Sequence, residues 1–218
     1  LYGGAGSGKT NICLLAAVSQ ARRGNKVIFI DTEGGFSSER IKQLLGARNL
    51  NGDEKKGREE KKIEFEDVLK NIFLLKPTNF KEQQESFNQI FKYLKQQISL
   101  IVVDGITMLY RLEFADARDK DLVAIQSVNS ELTRQLRILA EISRKQDIPI
   151  IITNQVYSWE QETKMVGGDI LKYWSKCLIE VENKNGRRTV YLRKHRSLPE
   201  KSLGFQIYDG GIRKKGWI

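Results

Sequence analysis

Residues 3–10 read Gly3-Gly4-Ala5-Gly6-Ser7-Gly8-Lys9-Thr10, which completes the spacing Gly-x-x-x-x-Gly-Lys-[Ser/Thr]. The chemistry of that pattern is anion binding. Its glycines let the backbone fold close enough to aim several N–H groups at phosphate oxygens. Lys9 is placed to reach the outer phosphates, and the Thr10 hydroxyl is a ligand for magnesium. A helix predicted from about Thr10 to Arg23, with Asn11 in its first turn, brings the positive end of its dipole to the same point. A glycine-rich turn that binds nothing has no need of the lysine and threonine in register. The pattern predicts a nucleoside triphosphate, ATP with Mg2+, as the ligand.

Three further groups stand at strand ends. Asp104 closes the apolar run Leu100–Val103, so its carboxylate emerges at the C-terminal edge of a sheet, where magnesium must be held. Its structural alternative is an aspartate capping the next turn. Asp31-Thr32-Glu33 ends a neighbouring run, and Glu33 is either the group that positions the attacking water or a charge on a loop surface. Thr153-Asn154-Gln155 ends a third; the Gln155 amide either hydrogen-bonds the γ-phosphate or simply faces water.

The elements that must position these groups alternate. Val27–Ile30, Leu100–Val103 and Ile148–Thr153 are short apolar runs with the pattern of buried parallel strands. Helical periodicity separates them over Ser37–Gly46, Phe80–Gln97 and about Asp121–Gln146. Such alternation predicts an α/β fold with a doubly wound, mostly parallel sheet. Towards the C-terminus, Cys177–Glu182 and Thr189–Arg193 flank Asn185-Gly186, a hairpin signal, and Gly204–Tyr208 reads as a last strand. One domain over 1–218 accounts for all of this. A phosphate loop must follow a strand, and only Leu1 and Tyr2 precede it, so most of that strand is expected upstream. Residues 51–62 carry mixed charge with almost no apolar content and read as a solvated loop rather than a binding site.

The chain has 37 Lys and Arg against 27 Asp and Glu, a formal charge of +10. That balance suits a polyanion, with nucleic acid the first candidate. With no apolar run able to span a bilayer, a soluble, cytoplasmic protein without membrane association is expected. Cys13 and Cys177, far apart and without metal-ligand spacing, read as reduced core residues.

Together the strand ends resemble the ATPase core of the RecA-type recombinases, the archaeal RadA and RadB proteins, with the details closest to RadB, the short paralogue. The resemblance runs over nearly the whole chain. It includes Asp31-Thr32-Glu33-Gly34-Gly35-Phe36-Ser37-Ser38-Glu39-Arg40-Ile41, Asp67–Ile72, Leu100–Gly105, Ile152-Thr153-Asn154-Gln155-Val156, Gly167-Gly168 and Leu198-Pro199-Glu200. It implies a RecA-like core in which Glu33 activates the attacking water, Arg40 stacks on adenine and Gln155 senses the γ-phosphate. It also implies a first DNA-binding loop after Arg111, reaching Arg118, and a second between Gln155 and Gly167 carrying Tyr157, Trp159 and Lys164. DNA, preferably single-stranded, a recombinase or junction nuclease, and further copies of the chain are the implied partners.

Three departures qualify the match. The second segment is short and holds Glu160 and Glu162 against Lys164. The first, Arg111 to Asp121, also has one more acidic than basic residue. Both are poor grips for a phosphate backbone; Tyr157 and Trp159 either stack on bases or pack the loop. The third departure is Lys194-His195-Arg196, where RadA-type sequences have an aspartate. A Lys-x-Arg arrangement is similar to that of hexameric RecA-fold ATPases, which implies Lys194 and Arg196 as cations reaching a neighbouring subunit's triphosphate. Alternatively these residues form, with Arg187, Arg188 and Arg193, one solvated basic face or DNA track. His195 is expected to orient that turn. The expected function is a weak, DNA-dependent ATPase that assists or regulates the main recombinase in homologous recombination and repair. A non-catalytic mediator that uses ATP as a conformational ligand, and a KaiC-like signalling ATPase, are the alternatives.

Overall fold

The computed structural model describes residues 1–46, 58–159 and 162–215, and their side chains except those of 58–63 and 158–164. A parallel four-stranded sheet has the order β3 (Ile72–Leu75), β2 (Lys26–Asp31), β4 (Ile98–Asp104), β5 (Ile150–Ile152). A seven-stranded sheet follows as β11 (Gly211–Lys214), β10 (Lys201–Tyr208), β9 (Arg187–Lys194), β8 (Leu178–Lys184), β1 (Tyr2–Gly3), β6 (Asn154–Trp159), β7 (Glu162–Met165). The two are joined because β5 runs on into β6, pairing with β4 on one side and then with β1 on the other. Two bonds span the junction: the Leu1 backbone nitrogen donates to the Ile152 carbonyl at 2.7 Å, and the Asn154 amide to the Leu1 carbonyl at 2.9 Å.

Strand alternation explains the doubly wound layering. Val27, Phe29, Leu100 and Val102 point to one face, where Cys13, Leu14, Ala17 and Val18 of α1 (Lys9–Ala21) cover them together with α2 (Ser38–Gly46) and α3 (Arg58–Lys70). Ile28, Ile30, Ile101 and Val103 point to the other, against α4 (Phe80–Tyr93), α5 (Met108–Arg118) and α6 (Leu122–Gln146). Both faces being apolar, each strand reads as a continuous hydrophobic run. No described helix is long and apolar enough to cross a membrane.

Four expectations need correction. The segment Arg111–Asp121 is mostly helical: Tyr110, Phe114 and Ala117 recur at helical spacing on the core side of α5, a periodicity masked by the charges between them. The second segment is a β-hairpin, β6 against β7, pinned by the pair Val156–Met165. Residues 58–62 belong to α3 rather than to a loop, while 51–57 lie outside the described residues. Cys13 is buried as expected, but Cys177 is exposed, because it lies in the connection between α7 (Gly168–Trp174) and β8, before the strand begins at Leu178. The described structure also contains α7 (Gly168–Trp174).

Candidate nucleotide site

The phosphate loop leaves β1 at the edge where β2, β4 and β5 also end. Gly8 is the N-cap of α1 with φ 112°, a left-handed conformation that a side chain would strain. Lys9 is buried and its Nζ donates to the carbonyls of Gly3 and Gly4, each at 2.9 Å. Burial holds its pKa below the ordinary value, and the carboxylates of Glu33 and Asp104 pull it back up. The lysine is thus drawn into the loop with two anions nearby, and its present bonds to loop carbonyls can be exchanged for phosphate oxygens.

Asp31 and Asp104 lie side by side, paired in register at the ends of β2 and β4. They have different tasks. Asp31 accepts from the amides of Gly35 at 3.0 Å and Phe36 at 2.9 Å, so it shapes the loop that carries Glu33. Asp104 Oδ1 accepts from the Thr153 hydroxyl at 2.6 Å, and that hydroxyl in turn accepts from the Gly105 amide at 2.7 Å. Asp104 Oδ2 is buried without a hydrogen-bond partner among the described residues and faces Thr10 across Gly35. A methyl at Gly35 would stand 2.7 Å from Thr10 Cγ2, closing the gap. Such a lone buried carboxylate oxygen beside a threonine hydroxyl suits a hard divalent cation. Burial, with Asp31 adding to it, raises the Asp104 pKa; Thr153, Thr10 and Lys9 work the other way.

Glu33 completes the cluster. Its Oε1 accepts from Gln155 Nε2 at 3.0 Å, which ties the loop after β2 to the start of β6. Burial and then Asp104 raise its pKa, opposed by Gln155 and Lys9. Gly105 makes this approach possible: a Cβ there would lie 2.6 Å from Glu33 Cγ. The structure therefore brings Lys9, Thr10, Glu33, Asp104 and Gln155 to one place. A separate cavity of about 310 Å³, lined by Leu1, Leu136, Ile152, Trp174 and Cys177 among others, contains none of them.

The match to known proteins covers almost everything described. The family model for Rad51 matches residues 1–215. The chain belongs to the Rad51 family. It is 38% identical over 213 residues to the DNA repair and recombination protein RadB of Methanococcus maripaludis (strain C7 / ATCC BAA-1331), covering 97% of this chain and 89% of that protein. To the RadB protein of Methanocaldococcus jannaschii it is 37% identical over 212 residues, covering 97% and 90%. A solved structure described as the crystal structure of the RadB recombinase superposes with a TM-score of 0.74 at 35% identity, covering 97% of this chain and 87% of that one. The RecA-like fold and the RadB resemblance drawn from the motifs are both borne out.

The remaining candidate residues of this Rad51-family chain lie in varied settings. The Arg40 guanidinium is held at its edges by Asn11 Oδ1 at 2.9 Å, Gln43 Oε1 at 2.9 Å and the carbonyl of Tyr208 at 2.8 Å, which fixes its plane. Lys194 Nζ donates to the carbonyls of Lys172 and Ser175, both at 2.9 Å, capping α7. It sits opposite Leu178, whereas Asn183 of β8 reaches the Gly6 carbonyl at 3.4 Å. Along β8 that is about 17 Å, so Lys194 cannot serve its own phosphate loop. Arg196 is exposed nearby, and His195 accepts from the Ser197 amide at 3.2 Å, orienting the turn as expected. Arg111 and Arg118 are exposed and seven residues apart on α5; Tyr157 is exposed on β6. Trp159 and Lys164 belong to the hairpin through their backbones.

Sequence reading missed Asp31, Thr153 and Asn154 as working residues. Asn154 accepts from Thr107 and donates to the Val166 carbonyl at 2.8 Å, anchoring the base of the hairpin to the start of α5. The available signal was their position, each at a strand end next to a group already singled out.

Proposed function

We propose that this chain binds Mg-ATP and hydrolyses it slowly in DNA repair and homologous recombination, assisting or regulating a main recombinase. The observation that carries this reading is the Gln155–Glu33 bond at 3.0 Å, made beside Lys9 and Asp104. Lys9 and the loop amides would bind the phosphates, while Thr10 and Asp104 would hold magnesium. Bound magnesium would neutralise charge on the phosphate oxygens. Glu33 Oε1 accepts a proton from the attacking water, and its raised pKa makes it a better base than an ordinary carboxylate. Gln155, now donating to Glu33, is placed to donate to a γ-phosphate oxygen instead. The RadB relatives are described as DNA repair and recombination proteins, which supports the process.

Lys194 and Arg196 lie far from their own loop, so any part they take in turnover requires a second copy. Hydrolysis measured across protein concentrations, with and without single-stranded DNA, tests this. Slow turnover that rises with concentration and with DNA is expected; fast turnover independent of both would refute it.

One observation favours the non-catalytic mediator as a second reading: Lys194 is engaged by the end of α7. Glu33→Gln separates the readings in a repair assay, since a mediator keeps working and a turnover-dependent enzyme does not.

A further inference from the structure

Arg188 of β9 is out of place by ordinary electrostatics. It pairs with Asn183 of β8 and Phe205 of β10, so alternation puts it on the same face as Val181, Phe205 and Ile207. The two β8 carboxylates, Glu180 and Glu182, point to the opposite face. There they are taken by Arg193 at 2.7 Å and by Lys184 at 2.8 Å. Arg188 makes no ion pair or hydrogen bond among the described residues, and its Nε is buried without a partner. Val181 and Phe205 around it are buried and apolar.

What Arg188 does approach is the phosphate loop. A Cβ built on Gly8 would lie 3.8 Å from Arg188 Cδ, and the neighbouring Asn183 reaches the carbonyl of Gly6 at 3.4 Å. The β8–β9 hairpin therefore leans on the loop with an arginine at the N-terminus of α1. A cation there is repelled by the helix dipole and by Lys9. Half-buried, with Nε enclosed and unpartnered, it carries part of a desolvation penalty as well. Both costs vanish if an anion is seated on the loop.

We propose that Arg188 is a second nucleotide-binding cation supplied in cis, whose partner is the phosphate chain of a nucleoside 5′-diphosphate or triphosphate. This rests on the reading of Gly3–Thr10 as a nucleotide site and adds to it a residue outside the motif. It also separates Arg188 from the basic face formed by Arg187 and Arg193.

The test uses the full chain, wild type beside Arg188→Met, Arg188→Lys and Lys9→Ala, with Mg-ADP binding by calorimetry and melting temperature without nucleotide. Arg188→Met is expected to weaken Mg-ADP binding roughly tenfold or more, since it removes a charge-assisted hydrogen bond to phosphate, and Arg188→Lys should recover part of that affinity. The Arg188→Met melting temperature without nucleotide is expected to equal or exceed the wild type, because a partly buried charge with an unpartnered Nε has gone. Unchanged Mg-ADP affinity overturns the inference. So does weakened affinity accompanied by a lower nucleotide-free melting temperature, which assigns Arg188 to packing alone. Wild type that binds no Mg-ADP, indistinguishable from Lys9→Ala, brings down the nucleotide site itself and the inference with it.

Discussion

The nucleotide edge and the α5–hairpin region are neighbours in the fold, yet their polar groups are spent in different ways. At the edge, Asp104, Thr153, Glu33 and Gln155 are bonded to one another across separate strands, with one carboxylate oxygen left over. Along α5 and the hairpin, Arg111, Arg118 and Tyr157 face solvent, and acidic residues outnumber basic ones in both segments. The first arrangement is preorganised for a small ligand of fixed shape. The second lacks a dense positive field of its own, so the +10 charge of the chain is carried elsewhere. On the proposed reading, nucleotide recognition is built within a single copy, whereas a strong grip on a long polyanion would have to be assembled from several copies or a partner.

Substitutions can break this contrast, the most damaging first. Lys9→Ala should lower Mg-ATP affinity about a hundredfold, as expected for deleting a buried cation that bonds phosphate, and equilibrium binding reads it directly. Glu33→Gln should cut turnover by at least about a hundredfold while affinity moves only a few-fold, a split visible in single-turnover kinetics. Gly105→Ala forces a methyl against Glu33 and Thr32 at a backbone with φ 88°. It should cost about 2 kcal/mol in denaturant unfolding and reduce turnover too.

The pH dependence is a subtler probe of the same edge. The Asp104 and Glu33 pKa values are raised by burial, so the folded chain holds those protons more tightly than the unfolded chain. Their contribution to nucleotide-free stability is fully present below the ordinary carboxylate range and is lost as pH rises through the raised values. Asp104→Asn should flatten that slope and leave the protein more stable near neutrality, as urea unfolding at several pH values would reveal. The smallest effect belongs to the other region. Paired Arg111→Ala and Arg118→Ala changes should weaken DNA binding only a few-fold, reducing the salt slope by about one for each arginine that had neutralised a phosphate. A far larger drop in affinity in a fluorescence titration would show that α5 does carry a strong electrostatic grip.

What the sequence made legible follows the same division. The strands ending in Asp31, Asp104 and Ile152 announce themselves because continuous apolar runs stop at polar residues; that the chain resumes at once as β6, with Gln155 near its start, was not legible. In α5, by contrast, the buried positions Leu109, Tyr110 and Ala117 are separated by Arg111, Glu113 and Asp116, and counting charge concealed a helix. The short strands β3 and β11 escaped because four residues carry too little periodicity. Thr153 and Arg188 could not be assigned from the chain alone. Thr153 acquires its role only when Asp104 is brought beside it by β4–β5 pairing, and Arg188 only when β9 carries it to Gly8.

The run from Ile150 to Trp159 has a mechanical meaning as well. Thr153 is clamped to Asp104 and Gly105, Gln155 to Glu33, and the same extended backbone continues outward into the hairpin. An extended strand transmits a push along its length with little give. If Gln155 exchanged Glu33 for a phosphate oxygen, the displacement would travel about 13 Å along β6 to Trp159. That one stiff rod would let a small shift at Gln155 be felt at exposed Tyr157.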